Sequence, residues 1–118
     1  MSDVKKYRII VLLNALEGRD DDLNDWFTNK HVHDALKISG FVNGQRFKLA
    51  KEQREGANTP WNYLAIYELE TGNIQFVLDE LARRRGTPPM VTTYSIAPGA
   101  VMGVFEPITD LMFPAQGQ

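Results

Sequence analysis

The chain has no cysteine and only two histidines in 118 residues. Lack of cysteine excludes disulfides and thiolate metal sites, and it fits a reducing compartment. Charge of one sign is lacking as well. Thirteen lysines and arginines against fifteen aspartates and glutamates leave a net charge of −2, so no overall basic field recruits nucleic acid or acidic membrane. The main apolar run, Tyr7 to Leu16, is too short to span a bilayer. Asn14 and Glu17-Gly18-Arg19 intrude where a leader peptide needs a small-residue cleavage site. No glycine-rich phosphate cradle, P-loop or serine-centred elbow occurs. The expectation is one domain over residues 1–118, soluble and cytoplasmic, with neither membrane nor nucleic acid as partner.

What is present reads as alternating strands and helices. Tyr7 to Leu16, rich in Ile, Val and Leu, predicts a strand buried on both faces. Asp20, Asp21 and Asp22 supply a helix N-cap and charge for the positive end of its dipole. Leu23, Trp26, Phe27 and His31 then form one helical stripe. Val32 falls on the opposite side, which predicts a break or turn between His31 and Asp34. Phe41 to Ala50 reads as the second strand, with a bulge at Gly44, and Lys51 to Pro60 as an exposed polar loop.

Trp61 to Leu69 alternates, with Trp61, Tyr63, Ala65, Tyr67 and Leu69 on one side. Thr71-Gly72-Asn73 offers caps for a second helix whose stripe is Ile74, Val77, Leu78, Leu81 and Ala82. Arg83, Arg84 and Arg85 complement its C-terminal dipole, and Gly86 is a natural C′ residue. A last strand spans Ala100 to Glu106. This β-α-β-β-α-β order predicts an α+β, ferredoxin-like fold: a four-stranded antiparallel sheet with two helices on one face. Strands one and three are apolar on both sides, so the uncovered face predicts a symmetric homodimer. RNA-recognition domains share the strand order, but the third strand lacks their aromatic-glycine signature.

The stretch from Asp25 to Phe41, DWFTNKHVHDALKISGF, holds both histidines. Its Trp26-Phe27, His31, Asp34, Leu36 and Gly40-Phe41 resemble the W-[YF]-x3-H-x-P-D-x-L-x-x-P-G-F pattern of EthD-like proteins. His33 and Ser39 stand where that pattern has proline, so His33 inherits no family role. The resemblance implies a small enzyme or accessory protein of a catabolic or polyketide pathway. Cofactor-free isomerases, lyases, dehydratases and oxygenases are among the relatives. It also implies a ligand pocket between helices and sheet, with His31 at the family histidine position.

The residues themselves support fewer roles. On a helix His31 and His33 point about 200° apart, and no third histidine or cysteine completes a metal site. No metal and no cofactor are expected. His31 is either a general base, at neutral pH close to its ordinary range, or a helix-end histidine packed on Trp26. Trp26, Phe27, Tyr67 and Tyr94 are the candidate ligand contacts. Tyr67 is a hydrogen-bond donor to a carbonyl or phenolate, and Tyr94 lies in an irregular segment that can cover a pocket. Trp61 and Tyr63 read as core or interface, and Asp34 as a ring-orienting partner or a solvated carboxylate. Taken with the resemblance, the expected ligand is small, apolar and aromatic or polyketide-like. The expected chemistry is proton transfer beside a carbonyl or phenol, and the competing class is a non-catalytic binding, accessory or stress protein.

Overall fold

The computed structural model describes residues 3–116. Four strands, β1 (Lys5–Leu13), β2 (Phe41–Lys48), β3 (Tyr63–Thr71) and β4 (Val101–Phe105), form one antiparallel sheet in the order β2-β3-β1-β4. Between β1 and β2 lies a helical segment of α1 (Asp20–Trp26), a π-helical turn (Phe27–His31) and α2 (Val32–Leu36). A second helix, α3 (Ile74–Arg84), joins β3 towards β4. The fold is α+β in β-α-β-β-α-β order.

The core lies on one face of the sheet. Tyr7, Ile9 and Leu13 of β1 and Tyr63, Ala65, Tyr67 and Leu69 of β3 cluster with Leu23, Phe27, Ala35, Ile38, Val77 and Met90. Strict alternation along β3 places every second side chain there. On the other face Ile10 opposes Ile66, and Leu12 opposes Leu64. These four are only half-buried. The expectation that β1 is covered on both sides is not met within the single chain, where among the described residues only the segment from Phe105 to Leu111 overlies part of the second face.

The π-helical turn resolves the conflict in the helical pattern. One extra residue in the turn shifts the stripe, so Trp26 before it, Phe27 and His31 at its two ends, and Val32 and Ala35 after it all lean on the core. The break expected at His31–Asp34 is thus a widened turn one residue-group earlier. The three aspartates lie inside the first turn of α1, and Arg19 at the N-cap position makes no side-chain cap. Asn73 does cap α3, its Oδ1 accepting from the Phe76 N–H at 3.1 Å. Beyond α3, Gly86 takes the left-handed φ of +77° expected of a C′ residue.

The bulge in β2 sits between Phe41 and Asn43, not at Gly44. Gly44 has a different task. A Cβ there would lie 2.8 Å from the Tyr67 ring, which packs flat against the bare backbone. β3 starts at Tyr63, leaving Trp61 outside the strand with its Nε1–H donating to the Gly99 carbonyl at 3.1 Å.

Candidate functional site

A cavity of about 430 Å³ opens at one end of the covered face. Val11 and Leu13 of β1 and Met102 of β4 form its floor, and Trp26, Phe27 and His31 its wall. Its cover is the chain from Met90 to Ile96. That cover is irregular yet anchored. The Leu16 N–H donates to the Ser95 carbonyl at 2.8 Å, the Ala97 N–H to the Asn14 carbonyl at 2.9 Å, and Ala15 bridges Ile96. The Trp26 indole Nε1–H adds a bond to the Val91 carbonyl at 3.0 Å. Trp26 therefore ties the cover to the helix that carries His31.

The imidazole of His31 stacks on Trp26, with centroids 4.5 Å apart and planes 22° apart, and meets Phe27 edge-on at 5.0 Å. Its Nδ1 is buried with no hydrogen-bond partner among the described residues. Burial among these rings lowers its pKa to about 4, with Asp34 opposing that shift and Arg85 adding to it. His31 is consequently neutral at pH 7, unlike the near-ordinary histidine expected from the sequence. Asp34 is neither solvated nor bonded to the ring. It is 2% exposed, and its carboxylate accepts from Lys30 Nζ at 2.8 and 3.0 Å, with Lys37 Nζ 3.9 Å away. It acts on His31 only through its field.

Of the sequence candidates, His31, Trp26 and Phe27 meet in this cavity, and Tyr67 and Tyr94 do not line it. Tyr67 lies towards β2, edge-on to Phe41 at 5.4 Å, and its hydroxyl is buried and unpartnered. Burial pushes that hydroxyl's pKa up to about 12. Tyr94 is 88% exposed, although Thr92, Thr93 and Ile96 around it do line the cavity. His33 is exposed. Among the described residues no three His, Asp or Glu side chains are grouped as metal ligands.

Phe27 divides the interior. Behind it, on the β2 side, the Arg46 guanidinium lies 4.6 Å from the Phe27 centroid and 5.6 Å from that of Tyr63. Arg46 Nη1 donates to Asn24 Oδ1 and Thr28 Oγ1, while the Tyr63 hydroxyl donates to Asp20 Oδ2 at 2.6 Å. That knot holds α1 on the sheet and places Phe27, hence His31.

Two residues that sequence reasoning did not place at the site belong to the picture. Arg46 carries no local signal, being one cation within a strand. Arg85 passed as a dipole complement, but it lines the cavity with His31. The signal was present in the spacing, because Glu80 lies three and four residues before Arg83 and Arg84 and out of step with Arg85.

A larger hollow of about 660 Å³ lies on the opposite face, between the sheet and the chain from Phe105 to Leu111. It contains no histidine, and its Arg8 and Glu68 pair with each other at 3.1 Å. It is an open trough on an apolar sheet face, whereas the His31 cavity is the one with a desolvated titratable group. No helix among the described residues is long and apolar enough to cross a membrane. No family model matches the sequence, and no curated protein or solved structure is significantly similar to it.

Proposed function

We propose that the chain is a ferredoxin-like, EthD-like subunit of a homodimeric α+β-barrel protein that acts without a cofactor on a small apolar compound. The compound is aromatic or polyketide-like and occupies the His31 cavity. A hollow lined mainly by apolar and aromatic side chains with few polar groups suits such a ligand. The observation that carries the reading is the buried Nδ1 of His31 in its wall, which no protein group among the described residues occupies. A neutral imidazole can accept a proton from carbon beside a carbonyl or from a phenol, which suits isomerisation, elimination or assisted oxygenation. Trp26 and Phe27 fix the ring, and Tyr67 on the far side of Phe27 has no contact role in this scheme.

The homodimer rests on the open sheet face, where Ile10, Leu12, Leu64 and Ile66 are only half-buried. One observation favours the non-catalytic alternative. A histidine of pKa about 4 that no carboxylate hydrogen-bonds is a weak base, adequate for holding a ligand hydroxyl. Mass spectrometry of small molecules released on denaturing freshly purified protein separates the readings once the compound is returned to the enzyme. Catalysis requires turnover by the wild type and a loss of about 10²–10⁴-fold in His31→Ala with the oligomer intact. Binding without turnover supports the carrier.

A further inference from the structure

We propose that Arg85 is the specificity residue of the His31 cavity and that the ligand is an aromatic acid whose carboxylate pairs with the Arg85 guanidinium. The inference rests on the cavity being a ligand site, as proposed above.

Three consecutive arginines end α3, and one carboxylate is within their reach. Glu80 accepts from Arg83 Nε at 2.9 Å and Nη2 at 2.7 Å, and from Arg84 Nε at 3.0 Å. Arg85 is five residues from Glu80, about 140° round a helix, and the backbone leaves the helix there with φ −54° and ψ 128°. The departure is held by bonds from the Gly86 N–H to the Met90 carbonyl at 2.9 Å and from the Thr87 N–H to the Arg84 carbonyl at 3.0 Å. Arg85 makes no ion pair among the described residues and lines the cavity with His31.

No aspartate or glutamate lines that cavity. Asp34, the carboxylate whose field reaches His31, is tied to Lys30 and Lys37. The site thus joins a large apolar wall to one exposed cation at its rim, without a counter-charge in the lining. A planar guanidinium in that position selects a carboxylate, with two parallel N–H donors and little competition from protein groups.

A bound carboxylate also changes His31. The charged groups acting on the imidazole are Asp34 on its own helical segment and Arg85 across the cavity. The floor strands and the cover present apolar side chains and threonines. Burial is the main cause of the low His31 pKa and the Arg85 charge a smaller one; a carboxylate on Arg85 offsets that smaller part, so an anionic ligand leaves its proton acceptor more basic than a neutral ligand of the same shape does.

The test uses the full chain, with 1-naphthoate and the neutral 1-naphthamide as probes, calorimetry for affinity and NMR for the His31 titration. Naphthoate is expected to bind about tenfold or more tighter than naphthamide and to raise the His31 pKa, while naphthamide does not. Arg85→Gln should abolish the difference between probes by lowering naphthoate affinity to that of naphthamide. Equal affinities, with both probes perturbing His31, would overturn the role of Arg85 while keeping the cavity as a ligand site. Failure of both probes to bind would overturn the cavity reading and this inference with it.

Discussion

The two faces of one sheet are built from similar side chains and meet different fates. On the covered face Ile9, Leu13, Ala65 and Leu69 are 1% exposed. On the open face their neighbours Ile10, Leu12, Leu64 and Ile66 remain half-buried, and Phe47 and Phe105 are 39% and 58% exposed. Residue type does not separate them; the cover does. Helices close most of the first face, and the cavity opens where the cover changes from helix to the irregular chain after Arg84. On the open face no helix packs among the described residues, only the segment from Phe105 to Leu111, and the proposed homodimer would bury the apolar surface that remains. The proposed function gives one face to a ligand and the other to a second copy of the chain.

The largest way to break this division is to charge the centre of the open face. Ile66 opposes Ile10 and Gln45 there. Ile66→Glu should convert a dimer into a monomer of 13.4 kDa, measured by light scattering after size exclusion, with His31 unperturbed in its NMR spectrum. A wild-type chain that is already monomeric would show that the open face has another role.

A smaller effect sharpens the covered face. The folded pKa of His31 lies below its ordinary 6.5, so the unfolded chain binds the proton more readily. Stability from the neutral imidazole is complete above about pH 6.5 and is lost as pH falls towards 4, by up to about 3 kcal/mol. His31→Phe keeps an aromatic partner for Trp26 and should flatten the urea-unfolding profile between pH 6.5 and 4. Glu80 does not confuse the result in most of that window. Its pKa is lowered to about 2, chiefly by the Arg83 hydrogen bond, so its contribution is lost below about pH 4.5. An unchanged slope in His31→Phe would mean that the imidazole is not desolvated.

Much of this architecture was legible because it obeys local rules. Tyr63 to Leu69 alternates without fault, and α3 carries its cap at Asn73 and its stop at Gly86. His31 was legible through its stripe with Phe27. The rest depended on contacts between distant segments. The π-helical turn exists because Phe27, His31 and Val32 all need the core, and no spacing rule writes that extra residue. Gly44 looked like a bulge, but the reason for it is the ring of Tyr67 one strand away. Asp34 looked solvated because its burial comes from tertiary packing around its lysine partners. Tyr67 and His31 seemed able to share a pocket until Phe27 and Arg46 came between them.

The direct measurement is the pKa of His31 in the ligand-free protein, read by NMR titration with His33→Gln as the assignment control. A neutral imidazole desolvated in the cavity wall predicts a value of about 4. A value at or above 6.5 would contradict the account, since it requires a solvated ring or a carboxylate partner.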